Sequence, residues 1–169
     1  MIFSLKRIDE EDLEFVMTIR SDPELYPYLG TYVSLNKKSQ LRWFEKLQTD
    51  NSQMYFVLML NHEKIGYVRI TQIDMINRTM CVGGDIHKKC RGNGYAKEMY
   101  NLIFDLGFKK LNMNRLWLFV LENNDRAIHI YKKLGFIEEG RQRKAIYNNG
   151  KYYDYIMMSI LREEYDSVI

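Results

Sequence analysis

The chain has 169 residues, 46% of them hydrophobic, with 25 basic and 22 acidic side chains and a formal net charge of +3. That length makes one ordinary domain with a sizeable core, and the apolar content excludes disorder. The charges are too balanced for a nucleic-acid binder, no stretch approaches the ~20 apolar residues of a membrane span, and the N-terminus lacks a signal peptide's basic-then-apolar order.

Residues 3–8 alternate loosely and predict a first strand. Asp9 is placed to cap a helix reaching about Arg20, with Leu13, Val16 and Met17 inward. Ser21-Asp22-Pro23 breaks it, and an irregular linker follows with Tyr26, Pro27, Tyr28, Leu29 and Gly30. A second helix is expected over about residues 36–49, with Leu41, Phe44 and Leu47 inward. Met54 to Leu60 reads as a strand, Asn61-His62-Glu63 as a hairpin loop and Lys64 to Asp74 as the next strand. Met80 to His87 is a further strand, in which the consecutive Gly83-Gly84 permits a bulge. After the turn Lys88 to Ala96, Met99, Leu102, Ile103 and Leu106 recur at helical spacing, predicting a helix over about residues 95–109. Arg115 to Leu121 is apolar on both faces, the mark of a central strand.

Asn124 or Asp125 caps the next helix, with Asn123 as a further candidate cap. Ala127, Ile130, Tyr131 and Leu134 form one of its faces, and Gly135 is placed to end it. Phe136 begins a strand expected to run to about Gly140. Asn149-Gly150 is a two-residue hairpin signal between β-rich flanks. The order is β-α-α-β-β-β-α-β-α-β-β, without repeats or low-complexity tracts, so residues 1–169 read as a single domain. The two cysteines, Cys81 and Cys90, lack metal-ligand spacing and read as reduced thiols of a cytoplasmic protein.

The turn Lys88-Lys89-Cys90-Arg91-Gly92-Asn93-Gly94-Tyr95-Ala96 sits between a strand and the first turn of a helix. Free backbone N–H groups and the positive end of the helix dipole converge there, and glycines let a ligand approach the main chain. Such a turn suits a phosphate or pyrophosphate. A dinucleotide fingerprint needs a third glycine where Lys97 stands, and a Walker loop needs a Gly-Lys-Ser/Thr that does not occur.

Downstream runs Asn124-Asp125-Arg126-Ala127-Ile128-His129-Ile130-Tyr131-Lys132-Lys133-Leu134-Gly135-Phe136. The two stretches, in this order, resemble the GNAT superfamily of acetyl-CoA-dependent N-acetyltransferases. Lys89, Gly92 and Gly94 occupy the defined positions of the family's Arg/Gln-x-x-Gly-x-Gly/Ala loop, with Lys89 a mild departure. The later stretch matches the family's Asn-x-x-Ala-x-x-x-Tyr-x-x-x-Gly-Phe throughout. The ending Asn149-Gly150-Lys151-Tyr152-Tyr153-Asp154 is similar to the branch holding Rim-type ribosomal-protein, spermidine and nucleotide-amino-sugar acetyltransferases.

The resemblance implies an α/β fold: a single-domain mixed, mostly antiparallel sheet flanked by helices, with strands splayed at the cofactor site. It implies acetyl-CoA as co-substrate, no metal, and direct attack by an amine in a ternary complex. The implied acceptor is a primary amine of a small molecule, a nucleotide-linked amino sugar or a polyamine. A protein N-terminus is the runner-up, and a catalytically silent acyl-CoA-binding sensor is the reading of another class. Neither nucleic acid nor membrane is an expected partner, and a homodimer is left open.

For the cofactor, the resemblance points to Lys89, Arg91, Gly92, Asn93, Gly94, Tyr95 and Ala96 around the pyrophosphate, with Arg126 nearby. Backbone groups near Asp85, Ile86 and His87 would pair with the pantetheine and supply an oxyanion donor, and Asn124 would hydrogen-bond it. Tyr131 carries the family's general-acid role, although it also belongs to an apolar helix face. The family's usual Glu is replaced by Cys81, which leaves Asp85, Glu122, His87 or an ordered water as the base. Tyr26 and Tyr28 either wall the acceptor pocket or pack a loop over the core. His129 is expected on the surface.

Overall fold

The computed structural model describes residues 1–29 and 36–167. Gly30, at the end of the predicted linker, lies outside the described residues. The strands are β1 (Phe3–Arg7), β2 (Met54–Leu60), β3 (Glu63–Asp74), β4 (Thr79–Ile86), β5 (Arg115–Leu121), β6 (Ile137–Asn148) and β7 (Lys151–Leu161). They form one sheet in the order β1-β2-β3-β4-β5-β7-β6. Every neighbouring pair is antiparallel except β4–β5, which is the mixed, mostly antiparallel sheet expected.

Strand alternation sorts the side chains onto two faces. Val68 and Ile70 of β3 join Met80, Val82, Leu116 and Leu118 on one face. That face is covered by α3 (Tyr95–Phe104), through Met99, Ile103 and Phe104, and by α4 (Asp125–Lys133), through the partly buried Ala127, Ile128 and Tyr131. Tyr55 and Tyr67 point the other way, where α1 (Leu13–Arg20) and α2 (Lys37–Leu47) cover them with Leu13, Val16, Ile19 and Leu47. A short helix, α5 (Arg162–Asp166), follows β7.

The parallel pair β4–β5 positions the site. It is in register only at Thr79↔Arg115, Met80↔Leu116 and Cys81↔Trp117. Beyond that point β4 stays on β3 as far as Ile86↔Gly66, and β5 stays on β7 as far as Leu121↔Tyr155. Each strand is held by its outer neighbour while the two part from one another. A gap opens inside the sheet, lined by backbone groups that need partners.

Several expectations are corrected. Gly83 and Gly84 form no bulge, because they stay in regular register with Arg69 and Val68. The register shift lies further on, between Thr71 and Asp74. Small residues are needed there for room: a Cβ on Gly84 would lie 2.7 Å from Met99 Sδ, and one on Gly83 3.1 Å from Arg69 Nη2. The first helix starts a turn later than expected, after a 3-10 turn over Glu10–Asp12. Asp12 accepts a hydrogen bond from the Asp9 N–H (3.1 Å) and pairs with Lys64 (2.6 Å), which ties that turn to β3. The helix after the Gly-rich turn is α-helical only to Phe104 and widens into a π turn over Asp105–Lys110. β6 does not stop near Gly140 but runs on to Asn148, with register shifts at Glu138/Gly140 and Gln142/Ile146 keeping it on β7. The hairpin expected at Asn149-Gly150 is present, with both residues at positive φ, 49° and 78°.

Candidate active site

The turn after β4 is shaped by two left-handed glycines, Gly92 at φ +84° and Gly94 at φ +77°. A Cβ on either would meet nothing within 4 Å, so the backbone conformation, and not crowding, favours glycine there. Gly94 is the cap residue of α3. Among the described residues, none supplies an acceptor to the N–H groups from Gly92 to Ala96. This is an open nest of donors at a helix N-terminus.

The side chains around the nest divide. Lys89 and Arg126 are exposed, and Arg126 and Ala96 line the groove that leads from the turn into the sheet gap. Asn93 is turned inward on its own loop, donating to Cys90 O (3.1 Å) and Arg91 O (3.3 Å). The Tyr95 ring packs edge-on against Phe3 of β1, 5.3 Å between centroids, which leaves its backbone as the part that faces the nest.

Arg91 has a job the sequence reading did not foresee. Its Nε donates to Ile86 O (3.0 Å), Nη2 pairs with Asp22 (2.7 Å) and Nη1 with Glu24 (2.8 Å). Its guanidinium therefore ties the Gly-rich turn to the linker after α1. The Asp22 side chain is only 3% exposed, and although burial opposes its charge, the Glu24 N–H and Arg91 hold its carboxyl below the usual range.

The gap itself has a directional edge. The His87 N–H donates to Ile65 O (2.9 Å), on the β3 side. Strand alternation then turns the N–H groups of Gly84 and Ile86 toward β5. His87 leans on Phe15 (5.6 Å between centroids), and burial, with Lys89 and Lys88, lowers its pKa. Its ring is not among the groove's lining residues, so only Ile86 of the expected pair faces the gap.

Two cavities meet there. The first, of about 490 Å³, lies on the α1/α2 side and is walled by Tyr26, Tyr28, Trp43, Tyr55, Phe119 and Tyr155, with Arg20 and Arg69. The second, of about 690 Å³, is the groove running to the Gly-rich turn. Leu25, Tyr28, Gly84, Asp85, Asn124 and Tyr131 line both. Of the expected residues, Tyr28, Asp85, Asn124 and Tyr131 are thus brought to one junction.

Asn124 settles the capping alternatives. Its Oδ1 accepts from the Ala127 N–H (3.2 Å), while Asn123 instead reaches Pro27 O (3.4 Å). Asn124 lines both cavities, and with its oxygen in the cap its amide nitrogen is the group left to donate there. The Tyr131 phenol is raised above its ordinary pKa by burial, with the Asp85 charge adding and the neighbouring Tyr100 opposing. It stays protonated at neutral pH.

Asp85 pairs with Arg69 through Nη1–Oδ2 at 2.6 Å. Burial disfavours the Arg69 charge, but Asp85 raises its pKa overall, and the cation stays fixed. Glu122 is engaged elsewhere: its Oε1 accepts from the Asp154 N–H (2.8 Å), where the β5–β7 pairing ends, and it lines neither cavity. Cys81 shares the Asp85 face but lies deeper, and burial raises its thiol pKa. Tyr26 lines the first cavity, its hydroxyl donating to Ser21 O (3.1 Å), and His129 is exposed as expected. Arg20, Trp43, Tyr55, Arg69, Phe119 and Tyr155 were missed, because only the sheet register and the packing of α1 and α2 bring them together.

Asp9, Glu11 and Asp12 bring carboxylate oxygens within 4.8 Å of one another, but Lys6 reaches all three (2.7, 2.9 and 3.0 Å). No helix among the described residues is long and apolar enough to cross a membrane.

Comparison with known proteins matches residues 3–137 to the acetyltransferase (GNAT) domain. The chain is 32% identical to spermidine N(1)-acetyltransferase of Escherichia coli (strain K12) over 163 residues, 95% of this chain and 87% of that protein. The crystal structure of spermidine N-acetyltransferase from Vibrio cholerae in complex with CoA and spermine superposes with a TM-score of 0.92. It is 27% identical and covers 96% of this chain and 97% of that one. The Vibrio cholerae enzyme solved with manganese ions superposes with a TM-score of 0.86 at 26% identity, covering 98% of this chain and 96% of that one.

Proposed function

The chain belongs to the GNAT family of acetyltransferases, and from that premise we propose that it moves an acetyl group from acetyl-CoA to a primary amine of a polyamine. The observation that carries the reading is the junction of an aromatic-walled cavity with the cofactor groove at Asp85 and Tyr131. Aromatic faces suit the methylenes and ammonium groups of such an acceptor. The similarity to spermidine acetyltransferases over nearly the whole chain supports the same class.

In this reading the pyrophosphate sits on the N–H groups from Gly92 to Ala96, and the pantetheine lies along β4 with Asn124 as a side-chain partner. The acceptor ammonium approaches Asp85, sheds its proton there, and the neutral nitrogen attacks the thioester carbon. Charge building on the carbonyl oxygen meets the Ile86 N–H. The C–S bond breaks as Tyr131 gives its proton to the leaving sulfur, and the proton left on the acylated nitrogen passes to solvent in the cavity, giving the neutral amide. These protein groups fill each role without a metal. The cytoplasm is the compartment we infer, and the exposed edge strand β6 is the surface on which we propose that a second copy pairs.

A second acceptor, a nucleotide-linked amino sugar, is favoured by Arg20, which lines the cavity and has no carboxylate partner among the described residues. Release of CoA thiol from acetyl-CoA, measured with spermidine, spermine, a nucleoside-diphosphate amino sugar and a peptide with a free N-terminus, tests the choice. The polyamine reading expects the highest kcat/KM with spermidine or spermine. A higher value with the amino sugar or the peptide transfers the assignment to that acceptor. Tight acetyl-CoA binding with no turnover on any amine would leave an acyl-CoA-binding domain.

A further inference from the structure

Tyr100 is a buried polar group that the mechanism above does not use. It lies on α3 with 1% of its surface exposed, and its ring meets Tyr131 edge-on at 5.5 Å between centroids. Phe136 closes the third side, 5.9 Å from Tyr100 and 5.8 Å from Tyr131. Among the described residues the Tyr100 hydroxyl closes no hydrogen bond of ordinary geometry, and the group it acts on is the Tyr131 phenol, whose pKa it lowers. A buried hydroxyl without a partner is costly, on the order of 1–3 kcal/mol. A phenylalanine would pack the same space without that cost. Tyr100 also lines the cofactor groove, on the same side as Tyr131.

We infer that Tyr100 is a positioning residue for Tyr131: its O–H donates to the Tyr131 oxygen as that phenol gives up its proton to the departing sulfur. The balance is simple. The C–S bond breaks, the electron pair goes to sulfur, and the Tyr131 proton follows it to give the thiol. The Tyr131 oxygen is left as a phenolate in a mostly apolar site, where a charge without a donor is strongly disfavoured. The Tyr100 hydroxyl is the donor at hand, and its own proton stays with it, since burial and the Tyr131 charge push its pKa well above the ordinary phenol value. The phenolate recovers a proton from the solvated mouth of the groove after transfer. The titratable groups facing the pair are Asp85 and Tyr155, whose charges disfavour the phenolate, and Arg69, which favours it.

The inference rests on Tyr131 as the thiolate's acid, and the test separates the two. Tyr100→Phe removes only the oxygen. The expected result is a kcat about tenfold lower with the acetyl-CoA KM unchanged, and an alkaline limb of the kcat–pH profile moved upward, because an unassisted Tyr131 ionises less readily. In a Tyr131→Phe background, Tyr100→Phe should cost nothing further, since there is no phenolate to assist. A more acidic fluorinated tyrosine at position 100 keeps the ring and should move the alkaline limb downward, which tests the idea even if the Phe variant folds poorly. An unmoved limb in the Phe or fluorinated variant, or an equal loss in the Tyr131→Phe background, would overturn it and leave Tyr100 as packing. If Tyr131→Phe itself keeps wild-type kcat, the acid assignment fails first.

Discussion

The cofactor groove and the acceptor-side cavity share Asp85, Asn124 and Tyr131 but are made of different material. The groove is made of backbone: left-handed glycines, the start of α3, and a β4 edge released by its divergence from β5. Most of its lining falls between Gly84 and Tyr131, and in the proposed reading main-chain donors hold its ligand. Beyond the shared residues, the cavity is made of side chains from α1, the linker, α2, β2, β3, β5, β6 and β7, which no local pattern unites. A backbone site tolerates changes in residue identity at all but its conformationally demanding positions. A side-chain site can change its preference with each substitution. This contrast explains how a fold can keep its acyl donor while the acceptor varies.

The contrast can be broken at the junction first. Tyr131→Phe deletes the proton donor and keeps the packing, so kcat should fall about 100-fold with acetyl-CoA binding nearly unchanged. Wild-type kcat at saturating amine would remove the acid role. Next, Gly94→Asp places a side chain and a negative charge on a left-handed residue in the nest. Calorimetry should show acetyl-CoA affinity reduced about tenfold or more, with circular dichroism unchanged. Unaltered affinity would mean that the groove is not a backbone anion site.

Arg91 joins the two regions, and its buried partner tests that joint. Asp22→Asn should lower stability by about 1–2 kcal/mol, less than for a fully buried pair, because Arg91 keeps Glu24. The folded Asp22 carboxyl lies below its unfolded value, so its contribution is complete above about pH 4 and is lost as pH falls through that range. The variant should therefore unfold with a shallower acid dependence than the parent, and identical acid limbs would show that the pair contributes nothing. The smallest effect is expected for Tyr28→Ala, at the rim and 42% exposed. The amine KM should rise a few-fold while that of acetyl-CoA stays close, and parallel changes in both would place Tyr28 in packing alone.

The sequence by itself determined what depends on neighbours along the chain. Hydrophobic patterning foretold the seven strands and the main helices, but not the start of α1 or the length of β6. Gly92 and Gly94 marked the positive-φ turn, Asn149-Gly150 the hairpin, and the run from Asn124 to Phe136 the capped helix that carries Tyr131. Those features follow from local backbone preference and hydrophobic period, which are legible in one dimension. Only the tertiary structure decided what depends on register and on which faces meet. It placed Arg69 beside Asp85, turned Arg91 onto Asp22 and Glu24, drew Glu122 to the Asp154 backbone, and set Tyr100 against Tyr131. The Gly83-Gly84 pair shows the difference in one place. The two glycines permit a bulge, but the sheet stays regular there, and the room they leave is taken by Arg69 of β3 and Met99 of α3. A side chain's partner across the fold is set by packing of elements distant in sequence, and a single chain's residue order carries no direct trace of that distance.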